Sequence, residues 1–328
     1  MPGNFTHLMD TDTSNIADIS ANSSSVESPP TDWFTVVFPV VTGLHVFLNA
    51  LVLLPFIVKE DLRTSFTVYV ICLSLSNTIQ GSVMNVIQLI GLYRVPFWAI
   101  KNEFECSVYL YMDSVFAAGA TYCHVLITIN RLWALTFPVS YRQSHTKGVA
   151  IVICGAMWLY VHAISLPFYL QDEVVYRRRP VAVNGCMANT EAQPHWVLVV
   201  VVSMYIIPTV VILGAYPFLW YFHQIRNKRV GQTVDTGTQE QPRMLRRQGR
   251  SGEAFRVLTC LTITIAVCWL PTDSLYILRT VSSFDTSFLD EPALVLYVLQ
   301  GVIDPVLFVI SLRDLKKFIM AILCHMHR

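Results

Sequence analysis

Seven long apolar segments constrain the fold of this 328-residue chain more than any other feature. About 20 apolar residues in an α-helix cross the hydrocarbon core of a bilayer, and every segment reaches that length. Charged residues make up only 14% of the chain, whereas a soluble domain carries about 25%. No segment shows the alternation of an outer-membrane barrel strand. The sequence therefore predicts an all-α membrane protein, a bundle of seven transmembrane helices at 33–58, 66–93, 103–137, 147–170, 194–223, 254–281 and 288–311.

The distribution of charge predicts how this bundle is oriented. Residues 1–32 contain no Lys or Arg, five acidic residues, and glycosylation sequons at Asn4 and Asn22. This composition is typical of a disordered, glycosylated extracellular tail, which we expect to be translocated uncleaved because no signal peptide precedes the first span. Seventeen of the 23 Lys and Arg then fall on the cytoplasmic side, in agreement with the positive-inside rule. We expect a multi-pass plasma-membrane protein with a seven-helix domain at 33–311, an intracellular loop at about 224–253, and a cytoplasmic amphipathic helix and tail at 312–328 on the membrane lipid.

Two charged residues inside the third span suggest a function at each end of the bundle. Asp113 is the lone carboxylate between Cys106 and Phe137, and a charge in the membrane is costly, so it usually faces the protein interior and serves a function. Arg131 follows eighteen residues later, which is five helical turns on the same face and about 27 Å deeper. The outer acid suits a cationic ligand, and the inner base suits a partner protein.

Three of the eight cysteines lie where modification is expected. Cys106 begins the third span at its outer end and Cys186 lies in the second outer loop, so both face an oxidising compartment in which a disulfide persists. We expect them to be bridged, which would hold that loop over the bundle. Cys324 follows an amphipathic run near the C-terminus and is either palmitoylated or an unmodified thiol.

Polar and proline motifs recur inside the spans in a familiar order. They are Asn49, Leu73-Ser74-Leu75-Ser76-Asn77, Asn130-Arg131-Leu132, Trp158, Pro208 with Tyr216, Cys268-Trp269-Leu270-Pro271, and Asp304-Pro305-Val306-Leu307-Phe308. Together with the cysteine pair, these motifs resemble those of the rhodopsin-family (class A) G-protein-coupled receptors over residues 33–324, and their pattern is closest to the biogenic-amine receptors. Prolines inside three spans also allow kinked helices to pivot between two packings.

The resemblance implies a ligand cavity at the extracellular end. Asp113 occupies the position at which monoamine and acetylcholine receptors place the carboxylate that pairs with the ligand amine; the alternative is a structural acid bonded to a Tyr or Ser. The implied ligand is a small cation or a peptide. Asp273 is a second acid nearby, and two acids suggest a dibasic ligand, an Arg-containing peptide, or one acid held neutral by the other. Residues 174–183 resemble the hairpin lids of peptide receptors, although their three arginines would repel such a peptide. The implied ligand-binding residues are Asp113, Met204, Trp269, Asp273, Tyr276 and Tyr297.

The resemblance also implies a switch that activates a heterotrimeric G protein, with departures from the family pattern. Asn77 and Asp304 stand in reversed order relative to the family's Asp and Asn, and we expect them to touch across the bundle. Ala120 in place of a serine argues against a sodium site. Asn130 replaces the Asp that holds the neighbouring arginine, so we expect a weak resting lock because neutral hydrogen bonds are roughly half as strong as charge-assisted ones. The implied switch residues are Asn49, Asn77, Asn130, Arg131, Tyr216, Pro271, Asp304, Pro305 and Phe308.

Other classes of protein fit less well. A receptor that binds ligand without signalling, a decoy, stays open because three switch motifs deviate from the family. A transporter would show internal repeats, and none is found. An intramembrane enzyme would need a nucleophile–base pair or metal ligands, and His45, His124 and His162 have spacings that define no metal motif. We interpret these histidines as hydrogen-bonded interior side chains, and expect no enzyme activity, cofactor, metal or nucleic-acid partner.

Overall fold

Helices make up nearly all of the described chain. A computed structural model describes residues 32–92, 100, 102–181, 185–234, 259–275, 278 and 287–326, and this part contains no strand. The tail with Asn4 and Asn22, most of the predicted 224–253 loop, and Tyr276 lie outside the described residues. Seven apolar helices are seen, at Asp32–Val58 (α1), Ser65–Gly91 (α2), Glu103–Thr136 (α3), Lys147–Tyr176 (α4), Pro194–Phe222 (α5, continuing to Val234), Thr259–Leu275 (α6) and Asp290–Ser311 (α7).

Six of these helices are long and apolar enough to cross a membrane. The seventh, α6, is a shorter apolar helix that is flanked on both sides by residues outside the described part. The prediction of an all-α, seven-helix membrane bundle is confirmed. The helix α3 has 34 residues and is therefore about 50 Å long, enough to reach beyond both faces of a hydrocarbon core of about 30 Å.

Side-chain caps determine where several helices begin. Thr64 and Thr67 form a capping box at the start of α2. The Asn102 side chain accepts a hydrogen bond from the Glu105 backbone N–H at the start of α3, and Thr146 caps α4 in the same way. Each cap satisfies a backbone donor that the first turn of a helix leaves free.

Three π-helical turns interrupt the long helices, at Gln80–Met84 in α2, Asp172–Tyr176 in α4 and Val202–Ile206 in α5. A π-turn inserts one extra residue into the helical repeat, and such turns are frequent at functional sites. Each one contains a buried polar or bulky side chain, namely Gln80, Asp172 or Met204.

The bundle buries a set of polar side chains within a hydrophobic core and exposes apolar side chains on its outer surface, where a membrane protein meets lipid. Asn49, His124 and Gln300 are buried between helices, whereas Phe47 and Leu159 are exposed on the outer surface. The helix α3 packs against α2, α4 and α5 and lies at the centre of the bundle.

An amphipathic helix follows α7 directly, as the sequence predicted. It spans Arg313–Met326 (α8). Leu315 and Ile319 are buried against the bundle, while Met320 is exposed. The Lys59 ammonium lies 5.1 Å from the centre of the Phe318 ring, so α8 is held beside the end of α1. Cys324 is exposed on this helix.

Candidate functional site

A disulfide closes one end of the bundle. Cys106, in the first turn of α3, is bonded to Cys186 in the segment between α4 and α5, with Cα atoms 5.5 Å apart. This is the bridge that the sequence analysis expected. We call this the disulfide end, and the opposite end, where α3 carries Arg131, the Arg131 end.

The buried side chain of Arg177 anchors the segment between α4 and α5 next to this disulfide. The Arg177 side chain is 1% exposed, and its Nη2 lies 2.8 Å from Asp172 Oδ2 in an ion pair. Its Nε donates to Glu173 Oε2 at 3.1 Å, and Nη2 also donates to Ser107 Oγ on α3 at 2.9 Å. A buried cation needs several partners to offset the loss of hydration, and these contacts supply them from both α3 and α4.

The same segment corrects one expectation. Residues Asp172–Tyr176 form the π-helical end of α4, so the first three residues of the predicted hairpin lid, 174–176, are helical. Arg178 pairs with Glu191, and Arg179 pairs with Glu173 at 3.0 Å. Each of the three arginines therefore has an acidic partner, while the repulsion of a basic peptide stays a prediction.

Asp113 lies two turns from the disulfide end of α3. Its Oδ1 accepts a hydrogen bond from Gln80 Nε2 at 2.7 Å, so the structural partner is a glutamine on α2 rather than the Tyr or Ser considered from the sequence. Within the described residues no Lys, Arg or His forms an ion pair with Asp113. One carboxylate oxygen is thus oriented by the amide, and the charge has no cationic counterpart in the described part of the chain.

The second acid, Asp273, points toward α5. Its Oδ2 accepts a hydrogen bond from Thr209 Oγ1 at 2.7 Å, which ties α6 to α5. One turn deeper, Trp269 is buried, and its ring lies 6.4 Å from the ring of Tyr297 on α7. Met204 is also buried in the core. Of the predicted ligand-binding residues, Tyr297 thus lies beside the buried indole, and Met204 belongs to the same hydrophobic core.

A histidine–aspartate pair lies at the centre of the bundle. His124 Nε2 on α3 and Asp304 Oδ2 on α7 are 3.0 Å apart, and both side chains are 1% exposed. The other carboxylate oxygen accepts a hydrogen bond from Gln300 Nε2 at 2.6 Å. The His124 ring meets the Trp269 ring edge to face at 5.0 Å. The pair therefore joins α3 and α7 directly beneath the aromatic residue of the predicted cavity.

Asn77 and Asp304 were expected to touch, but each has a different partner instead. Asn77 Nδ2 donates to Asn49 Oδ1 at 3.3 Å, and Asn49 Nδ2 donates to the Gly301 carbonyl at 2.7 Å. A Cβ at Gly301 would lie 2.7 Å or less from three ring atoms of His45, so a larger residue there would force the His45 side chain to move. Asn77 thus reaches α7 through Asn49, one turn before Asp304.

The sequence analysis underestimated His124, which it treated as an ordinary interior histidine. A signal was available, because His124 lies eleven residues after Asp113, about three helical turns on the same face. Spacing on one helix could indicate that face but not the partner, which is on α7. Within the described residues, no cluster of three or more His, Cys, Asp or Glu is suited to a metal ion.

At the Arg131 end, the arginine and its neighbour have different partners. The Arg131 guanidinium carbon lies 3.5 Å from the centre of the Phe66 ring on α2. Asn130 Oδ1 accepts a hydrogen bond from Tyr141 Oη at 3.1 Å, and Asn130 Nδ2 lies 2.9 Å from His145 Nε2. The neutral contacts that the structure gives Asn130 are with Tyr141 and with His145, a residue that the sequence analysis did not consider, rather than with Arg131.

The other predicted switch residues lie on three helices. Pro305 and Phe308 are buried in α7, while Tyr216 on α5 and Pro271 on α6 are half-buried. Pro305 directly follows Asp304, so the helix irregularity introduced by the proline adjoins the histidine–aspartate pair.

This architecture defines a class: a polytopic membrane bundle with an acid at one end, a buried polar core and an arginine at the other end. Residues 48–308 match the 7 transmembrane receptor (rhodopsin family), and because this match covers most of the chain, the protein belongs to that family. The family consists of receptors rather than enzymes.

Comparison with curated proteins finds acetylcholine receptors. The chain is 22% identical to the muscarinic acetylcholine receptor M3 of Sus scrofa over 250 residues, which is 73% of this chain and 41% of the relative. It is 24% identical to the muscarinic acetylcholine receptor M1 of Homo sapiens over 229 residues, 68% of this chain and 48% of the relative. The chain thus spans less than half the length of these curated relatives.

Proposed function

We propose that this protein is a cell-surface receptor that binds an extracellular cationic ligand through Asp113 and activates a heterotrimeric G protein at the Arg131 end. The observation that carries the proposal is the Asp113 carboxylate. It is oriented by Gln80 at 2.7 Å and has no basic partner in the described part of the chain. A carboxylate in a partly dry site attracts a cation strongly because little water screens the charge.

The contacts through the bundle support transmission from one end to the other. Trp269, in the predicted cavity, touches His124, and His124 pairs with Asp304 beside Pro305. The same helix α3 carries Asp113, His124 and Arg131, so a ligand that shifts α3 relative to α7 acts on the central pair. An element with two alternative packings is what a switch requires.

The proposed topology follows from the same function. Residues 1–32 form an extracellular tail that is glycosylated at Asn4 and Asn22, 33–311 form the membrane domain with an intracellular loop at about 224–253, and 312–328 lie on the inner membrane surface. Cys324, exposed on α8, is available there for palmitoylation.

The chemistry of the relatives' ligand agrees with a cationic ligand. The relatives are named for acetylcholine, which is a quaternary ammonium. Amines and quaternary ammonium compounds are therefore the first class to screen against this receptor.

The test is an agonist screen with a second-messenger readout, followed by Asp113→Asn. This change should weaken a cationic agonist at least about tenfold without loss of surface expression. Glu105→Gln, an exposed acid in the first turn of the same helix, is the matched control and should leave affinity unchanged. An uncharged agonist that is insensitive to Asp113→Asn would contradict the proposal. Silence with every G-protein class, despite specific ligand binding, would favour a decoy.

A basic peptide is the second candidate ligand, and the paired arginines favour it. Because Arg177, Arg178 and Arg179 are each matched by an acid, the disulfide end does not present three free positive charges. A peptide with two cationic groups should lose affinity in both Asp113→Asn and Asp273→Asn, whereas a small amine should lose affinity only in the first.

A further inference from the structure

His145 lies in an aromatic pocket at the Arg131 end. It directly follows the short helix Pro138–Ser144 that connects α3 to α4, and it is 7% exposed. Its ring stacks on Tyr141 at 4.7 Å and on Tyr69 at 5.7 Å, while Trp133 meets it edge to face at 5.6 Å. His145 lies in a loop, yet aromatic rings from α2, α3 and the loop helix surround it as they would a core residue.

Two polar groups converge on one nitrogen of this ring. His145 Nε2 lies 3.0 Å from Tyr69 Oη and 2.9 Å from Asn130 Nδ2. The Asn130 oxygen already accepts a hydrogen bond from Tyr141 at 3.1 Å, so its amide N–H is the group that faces the ring. Nε2 must then be the acceptor, which requires a neutral imidazole.

The residue that His145 contacts is the one at which this chain departs from its family. Asn130 precedes Arg131, whose guanidinium stacks on Phe66 of α2, and Tyr69 lies one turn along the same helix. His145 therefore links α2 to α3 at the turn that presents Arg131. The neutral Nε2 of His145, which accepts from Asn130, therefore stands where the family pattern has an ion pair between the arginine and an adjacent acid.

We propose that His145 is the positioning residue of the resting state, that its neutral Nε2 holds Asn130 and Tyr69 together, and that protonation of this imidazole releases Arg131 for its partner. The proposal rests on the proposed function, because release is expected to raise G-protein activation. On this proposal, the pH of the cytosol controls the basal signalling of the receptor.

The electrostatic surroundings give the direction of the pH effect. Burial lowers the pKa of His145 below its ordinary value, so the pocket favours the neutral ring. A histidine that leaves the pocket regains its ordinary pKa of about 6.5. The contact of neutral His145 with Asn130 and Tyr69 is therefore fully stable above a pH of about 6.5 and is progressively lost as the pH falls below that value. The titratable or charged groups that contact His145 or its partners are Tyr69 on α2, Arg131 on α3 and Tyr141 on the loop helix. On α4, Cys154 lies near Tyr69, and Lys147 is exposed.

Two substitutions separate hydrogen bonding from packing. His145→Leu fills the pocket without an acceptor, and basal second-messenger output at matched surface level should rise about fivefold, the effect of losing one neutral hydrogen bond from the resting state. His145→Gln supplies an amide oxygen that accepts in place of Nε2, and its basal output should stay near that of the parent. Equal basal output in the Leu variant and the parent would overturn the proposal.

The pH profile distinguishes this role from a purely structural one. With cytosolic pH clamped between about 7.4 and about 6.2, a range across which an unperturbed histidine titrates, the parent's basal output should climb toward that of the Leu variant. Both variants should be flat. A flat parent, or a Gln variant that rises as the parent does, would show that His145 is not the titrating group.

Hydrogen exchange provides a readout that needs no G protein. In the purified full-length receptor, amides of residues 138–145 should be protected in the parent and in the Gln variant at about pH 7.4. They should exchange faster in the Leu variant and, after correction for intrinsic rates, in the parent at about pH 6. Release in this assay without any signalling would refute the proposed G-protein function but retain the lock. Unchanged protection would refute the lock itself.

Discussion

The His124–Asp304 contact should be energetically coupled. We consider His124→Leu, Asp304→Asn and the double change. The His124 and Asp304 side chains lie 3.0 Å apart and are both 1% exposed, and residues in such direct contact show coupling energies of up to about 3 kcal/mol. Removing one partner of a buried pair also leaves the other unpaired, at a cost of about 3–5 kcal/mol.

The assay is thermal unfolding of the purified receptor in detergent without ligand. Each single change should lower the midpoint by on the order of 10 °C, since about 1 kcal/mol corresponds to a few degrees in a protein of this size. The double change should be much less damaging than the sum, with a coupling energy of about 1.5–3 kcal/mol. Asp304 retains its bond to Gln300, so removing His124 should be the milder single change.

Thr128→Val is the matched control. This threonine is fully buried four residues further along α3, and its hydroxyl has no hydrogen-bond partner in the described part of the chain. Replacing an unsatisfied hydroxyl with a methyl group of similar shape should be neutral or stabilising. If the two single changes at His124 and Asp304 were simply additive, the inferred link between α3 and α7 would be refuted.

Two further predictions concern the disulfide end. Arg177→Met leaves Asp172 and Glu173 without their buried cation and should cost about 3–5 kcal/mol of stability. Arg178 is exposed and pairs with Glu191, so Arg178→Met should change stability by no more than about 1 kcal/mol. Equal unfolding midpoints for the two variants in detergent would contradict this ranking. Cys106→Ala and Cys186→Ala should reduce surface expression to a similar degree, with little further loss in the double variant; strong additivity, or both thiols found free by mass spectrometry, would count against the bridge.

The sequence alone determined which segments are helices and that they span a membrane. In lipid every backbone donor and acceptor must be satisfied within the segment itself, so each helix is specified by its own apolar length. The same local logic identified the amphipathic α8 and the acid at Asp113. Motifs in chain order were enough for the family, which is defined by landmarks on individual helices.

Only the tertiary structure decided which polar groups meet. Asp304 pairs with a histidine 180 residues earlier, whereas Asn77 pairs with Asn49, because depth and rotation of each helix depend on the packing of all the others. Local preference also failed at residues 174–176, where β-forming side chains continue α4 as a π-helical turn. There the buried Arg177 binds Asp172 and Glu173 from that turn, and satisfying a buried charge outweighs a strand preference that spans only about 1 kcal/mol.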